Sequence, residues 1–112
     1  MHELSITRNI VAIASDAAKG RRVRTVTLEV GALSGVMPDA IAFCFGVVSA
    51  ETPIAGALLD IRKIDGRGRC RACGSEFAAA ALYAPCPCGS REVDLIRGEE
   101  LNIKSLELEE AA

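Results

Sequence analysis

The sequence predicts an α+β fold with two helices, three strands of one sheet, and a small metal-stapled unit inserted before the last strand. Two stretches, Leu4 to Lys19 and Ile41 to Val48, carry apolar residues at helical spacing. Three others, Arg22 to Val30, Ala57 to Ile64 and Leu101 to Glu109, read as strands. Four of the five cysteines, Cys70, Cys73, Cys86 and Cys88, fall together between the second and third of these strands. A chain of 112 residues can form one ordinary domain or a small core domain with a smaller metal-held unit, and the cysteines favour the second. The expected division is residues 1–65 with 99–112 as the core domain and 66–98 as the metal-binding domain.

In the first helix Ile6, Ile10, Ile13, Ala14 and Ala17 recur at intervals of three and four. Ser5 fits the N-cap, and Lys19 with Gly20 suits the C-terminus. Val26, Leu28 and Val30 then alternate with Thr25, Thr27 and Glu29, as in a half-buried strand. After the loop Gly31 to Met37, Pro38 can occupy the first turn of a second helix. Its stripe is Ile41, Cys44, Phe45 and Val48, widened by Phe43 and Val47, which makes Cys44 a small buried apolar residue. Thr52 and Pro53 end this helix, and Ala57 to Ile64 leads into Asp65-Gly66-Arg67-Gly68, read as a flexible hinge.

Beyond the cysteines, Arg91 to Ile96 reads as a short strand and Gly98 as the return to the core domain. In the final strand the apolar positions change phase between Ile103 and Leu106, which predicts a bulge or strong twist. Closing the excursion is easiest if the strands on either side of it are neighbours in the sheet. Residues Glu109 to Ala112 are expected to fray.

The cysteines occur as Cys70-Arg71-Ala72-Cys73-Gly74 and Cys86-Pro87-Cys88-Gly89, two close pairs each followed by glycine. This is the pattern of metal knuckles, in which tight turns bring four sulfurs to one ion. Cys86 and Cys88 are separated by one residue, so both can reach the ion only if Pro87 sits in a bend. Four thiolates with no histidine or carboxylate among them form a closed site, which suits structural zinc; iron in the same ligand set is the alternative. A structural disulfide is disfavoured because no secretory segment is visible and Glu3 comes early. The chain is therefore expected in the cytoplasm, where thiols stay reduced.

Net charge is −2 and the pI about 5.4, so the chain has no general attraction for nucleic acid or anionic lipid. The longest apolar run, residues 40–48, is too short to span a bilayer.

The only histidine, His2, follows Met1 directly. Its bulk is expected to block removal of Met1, leaving an α-amine one residue from the imidazole. Amine, imidazole and intervening amide nitrogens can chelate one ion in a plane, the geometry that Ni(II) or Cu(II) prefers.

Several separated pieces together resemble the HypA/HybF family of hydrogenase nickel-incorporation proteins. They are Met1-His2-Glu3-Leu4-Ser5-Ile6, Val26 to Val30 running into Gly31-Ala32-Leu33-Ser34-Gly35-Val36, both cysteine knuckles, and Gly98-Glu99-Glu100-Leu101-Asn102-Ile103-Lys104-Ser105. The resemblance covers essentially the whole chain, although the family's second cysteine pair normally has two intervening residues. It implies two helices on a three-stranded sheet joined to a zinc domain. It also implies a metallochaperone, not an enzyme, that binds transferable Ni(II) through the Met1 amine, the His2 imidazole and amide, and the Glu3 backbone nitrogen. Zn(II) maps onto Cys70, Cys73, Cys86 and Cys88. The implied partners are a maturation GTPase and the large-subunit precursor of a nickel-iron hydrogenase; monomer and homodimer both stay open.

Two rival readings start from the same residues. Arg67, Arg69, Arg71 and Arg91 around the knuckles would suit a zinc-ribbon nucleic-acid or protein-interaction module, but few aromatics accompany them. Cys70-Arg71-Ala72-Cys73 would suit a thiol-disulfide enzyme, but that chemistry needs one reactive pair and the chain has two at ligand spacing.

Overall fold

The computed structural model describes residues 2–110. Two helices and six strands follow one another: α1 (Glu3–Ala18), β1 (Val23–Gly31), α2 (Pro38–Ser49), β2 (Leu58–Ile64), β3 (Arg67–Cys70), β4 (Glu76–Ala78), β5 (Val93–Arg97) and β6 (Leu101–Leu108). They form two three-stranded sheets, ordered β2-β1-β6 and β4-β3-β5. The fold is the expected α+β arrangement of two helices, a three-stranded sheet and a ribbon of cysteines.

The strands flanking the excursion are not neighbours, contrary to the expectation from chain closure: β1 lies between β2 and β6. Its side chains Val26, Leu28 and Val30 are at most 1% exposed, which only a central strand provides. The α2 crossover returns the chain parallel to β1, so β2 pairs with it in parallel, and β6 takes the other side antiparallel.

The excursion is instead closed by residues 31–33, at and just beyond the end of β1, whose backbone reaches both of its ends. Ala32 donates to the Ile64 carbonyl at 2.8 Å, Leu33 to Gly98 at 2.7 Å, and Gly31 to Glu100 at 2.7 Å. A Cβ on Gly31 would lie 2.0 Å from the Gly98 carbonyl oxygen, so the approach requires glycine. Residues 65–68 are correspondingly no loose hinge: Gly66 is buried in the junction and Arg67 already begins β3.

Ile10, Val11, Ala14 and Ala18 of α1 and Ile41 and Phe45 of α2 share one core with β1, joined by Ile54, which has no exposed surface. Phe43 and Val47, expected to widen the buried stripe of α2, are 76% and 64% exposed. Two residues on from the Ile41–Phe45 face the helix has turned about 200°, so they point away from the core. Cys44 is half-buried rather than enclosed.

The first helix begins earlier than Ser5 suggests, with His2 at the N-cap and Glu3 in the first turn. The Thr7 hydroxyl donates to the Glu3 carbonyl at 2.7 Å, tightening that turn. At the other end Lys19 adopts the left-handed conformation, φ 51°, as its place before Gly20 suggests.

In β6 the predicted change of phase is a bulge. Thr27 faces Ser105 and Leu28 faces Ile103, which leaves Lys104 as the extra residue. Glu109 is held rather than frayed, because its N–H donates to the Arg22 carbonyl at 2.9 Å; Ala111 and Ala112 lie outside the described residues. No helix among the described residues is long and apolar enough to cross a membrane.

Replacing Gly31 by alanine should destabilise the protein by at least about 2 kcal/mol, because the new methyl meets backbone that cannot rotate aside. Urea unfolding would measure this; an unchanged midpoint would mean that the junction is plastic.

Candidate metal centres

Each cysteine knuckle is built by its own backbone. In the first, the N–H of Gly74 donates to the Cys70 carbonyl at 2.9 Å and the N–H of Cys73 points to the Cys70 sulfur at 3.4 Å. In the second, Gly89 donates to the Cys86 carbonyl at 2.8 Å, and Cys88 N–H points to the Cys86 sulfur at 3.5 Å. Gly89 has φ 97°, a conformation that side-chain-bearing residues rarely adopt, and this turn supplies the bend that the one-residue spacing requires. A further bond, Cys86 N–H to the Ser90 carbonyl at 2.9 Å, locks it. The cue was already in the sequence: Pro87 between the two cysteines and Gly89 directly after them.

All four sulfurs converge, every pair within 4.8 Å. Cys70 and Cys88 sulfurs are 3.7 Å apart and those of Cys73 and Cys86 3.6 Å. A tetrahedral zinc ion with Zn–S near 2.3 Å places its sulfurs about 3.8 Å apart, so the donor set fits such an ion. Cys70 and Cys86 are buried, whereas Cys73 and Cys88 reach solvent.

Proton affinities in the cluster diverge. Hydrogen bonds from the Ser75 side chain and backbone, then from the Cys86 thiol, bring the Cys73 thiol down to about 6. The N–H of Cys73 likewise lowers Cys70. For Cys86 the N–H of Cys88 pulls downward, but burial and the three neighbouring sulfurs outweigh it and push the thiol up to about 12. Four thiolates this close repel one another, and a bound cation relieves that repulsion.

Around the knuckles, Arg67 and Arg69 both bind Glu76, at 3.0 and 2.8 Å, and Arg71 meets Asp94 at 3.6 Å. Three of the four arginines that suggested a nucleic-acid surface are thus paired within the ribbon itself.

At the other end of the chain His2 is exposed, with φ −91° and ψ 85°. Its carbonyl accepts the Ile6 N–H at 3.1 Å, the first bond of α1. The amides that precede this bond have no acceptor in the helix. The Glu3 carboxylate accepts the Met37 N–H at 3.3 Å, which ties the start of α1 to the start of α2. Hydrogen bonds from Glu3's own N–H and then from Met37 hold that carboxyl below the usual carboxylate range. Met1, the remaining predicted ligand, lies outside the described residues.

A family model described as hydrogenase/urease nickel incorporation, metallochaperone, HypA matches residues 1–108. The chain belongs to the HypA family. Hydrogenase maturation factor HypA of Nostoc sp. (strain PCC 7120 / SAG 25.82 / UTEX 2576) is 52% identical over 110 residues, spanning 98% of this chain and 97% of the relative. The HypA of Geotalea uraniireducens is 53% identical over 110 residues, with 97% and 100% covered. Among solved structures, the Ni metallochaperone HypA from Helicobacter pylori superposes with a TM-score of 0.69 at 27% identity, covering 96% of this chain and 97% of that one. The solution structure of another HypA protein gives 0.72 at 26%, with 96% of each chain covered. These HypA relatives span the α/β part and the cysteine ribbon alike.

Two outcomes follow from this geometry. Cobalt(II) added to metal-free protein should give the visible spectrum of a tetrahedral four-thiolate complex at one ion per chain, and Cys86→Ser should shift it; an identical spectrum in the variant would exclude Cys86 as a ligand. The lowered Glu3 carboxyl contributes stability above the ordinary carboxylate value of about 4.3, and that contribution is lost as pH falls through the lowered value. In Glu3→Gln the difference in thermal midpoint from wild type should therefore shrink on acidification, as differential scanning calorimetry can test.

Proposed function

We propose that the protein carries Ni(II) on its N-terminus and, with a partner GTPase, delivers it to the large-subunit precursor of a nickel-iron hydrogenase in the cytoplasm. The Met1 amine, the His2 imidazole and amide, and the Glu3 backbone nitrogen hold the cargo, and Cys70, Cys73, Cys86 and Cys88 hold a resident Zn(II). The observation that carries this reading is the exposure of His2 at the start of α1, where neighbouring amides are not spent on the helix. Membership of a nickel-incorporation family supplies the metal and the client class.

That these amides lie outside the helix's own hydrogen bonding matters chemically. A planar nickel site made of nitrogens uses amides that have lost their protons, which a helix interior would keep engaged. Two deprotonated amides also offset the charge of a divalent ion, so the positive end of the α1 dipole does not repel the loaded site. The Glu3 side chain acts differently from its backbone: bonded to Met37 N–H, it orients the first turn rather than binding metal.

Retention and transfer place opposite demands on a site. Four thiolates enclose their ion, and zinc there maintains the ribbon. A terminal nitrogen site exposes its ion on one side, where a partner's ligands can replace it step by step. The same contrast underlies a division into residues 1–65 with 99–112 as the cargo domain and 66–98 as the zinc domain. The protein's role on this reading is binding and transfer, with no catalysed bond change.

His2→Ala should abolish nickel binding while leaving one thiolate-bound ion and the fold intact, as elemental analysis and circular dichroism would show. A variant that lost both metals would contradict separate sites. Nickel affinity should also fall on acidification, since amine and imidazole give up protons on binding. An N-terminal extension should weaken it, and calorimetry on tagged and untagged protein would reveal equal affinities if the amine played no part.

A further inference from the structure

Neither candidate metal centre contributes a residue to the groove beside strand β5 of the ribbon. This groove, about 430 Å³, runs between the loop from Ala79 to Ala84 and strand β5. Leu82, Val93 and Leu95 give it an apolar lining, and Arg91 and Glu99 contribute its charged groups. Neither of the two belongs to any ion pair among the described residues, unlike Arg67, Arg69 and Arg71. Lying before and after β5, they put opposite charges at the two ends of one strand.

The strand between them is the outermost of its sheet, with β3 on one side and no strand on the other among the described residues. An open edge of this kind offers backbone N–H and C=O groups to an added strand. Beside it Tyr83 is 92% exposed and has φ 65°, a left-handed conformation that is unfavourable for a bulky side chain. A tyrosine ring displayed on strained backbone contributes little to its own domain's packing, and such strain concentrates at binding sites. Aromatic rings are also enriched where binding energy concentrates.

We propose that this groove binds an extended segment of a partner protein, laid antiparallel to β5 with apolar residues at alternate positions. A basic residue near the start of that segment faces Glu99, and an acidic residue about eight positions later, on the same face of the strand, faces Arg91. Tyr83 and Leu82 cover its apolar side chains. The site is independent of the nickel reading and would exist even if the N-terminus bound no metal.

Selection of random dodecapeptides displayed on phage against the full-length, metal-replete protein tests this. Enriched peptides should alternate apolar residues between a leading base and a trailing acid, and a synthetic copy should perturb NMR signals of residues 79–84 and 91–99. Arg91→Glu combined with Glu99→Lys should transfer the preference to the charge-swapped peptide. Tyr83→Gly should weaken binding about tenfold while leaving the thermal midpoint equal or higher, because glycine relieves the strain. The proposal is overturned if no peptide family is enriched, or if enriched peptides bind elsewhere or ignore the charge reversal. It is equally overturned if Tyr83→Gly lowers stability and leaves peptide affinity unchanged.

Discussion

The close approach of the Gly31 and Gly98 backbones is the constraint on which the arrangement of this molecule depends. Where β1 ends, consecutive N–H groups of Gly31, Ala32 and Leu33 reach Glu100, Ile64 and Gly98, so one short segment fastens both the outgoing and the returning chain. No side chain fits there: a Cβ on Gly66 would lie 2.2 Å from the Ala79 carbonyl oxygen, and one on Gly98 2.7 Å from the Gly66 Cα. The ribbon is therefore mounted on the end of the central strand by backbone contacts, not by a tether of variable length. Hydrogen bonds of this kind, near buried glycine, are costly to leave unmade.

Around that junction the two halves are stabilised by different physics. The α/β part has a conventional apolar core, in which β1 is enclosed by helices and flanking strands. The ribbon is too small to bury much apolar surface, and its strands are three to five residues long. Converging sulfurs and ion pairs among Arg67, Arg69, Arg71, Glu76 and Asp94 take the place of a core. Exposed ion pairs contribute little individually, about 0–1 kcal/mol, so an ion held by the four cysteines is the principal staple on the proposed reading.

The candidate cargo site stands apart from both. It depends on where a helix begins more than on any pocket: starting α1 at Glu3 leaves His2 in solvent and the first amides outside the helix's own hydrogen bonding. The bond from Met37 to Glu3 makes that start a fixed point of the fold, tied to the first residue of α2 through the residue before it. A site exposed in this way can be rigid in placement and still open to exchange.

Much of this was legible in the chain itself. Periodicity located both helices and the three strands of the larger sheet, and the phase change between Ile103 and Leu106 signalled a bulge or strong twist, which the register shows to be a bulge at Lys104, because a strand's facing pattern is local information. The cysteine spacing brought out the sulfur cluster for the same reason: each knuckle is a turn made by adjacent residues. Only the tertiary structure decided that β1 separates β2 from β6, that Phe43 and Val47 face solvent while Phe45 does not, and that Arg67 begins a strand rather than a hinge. Strand order, the buried side of an apolar helix and the partner of a short edge strand are set by which distant surfaces meet, and no run of neighbouring residues encodes that choice alone.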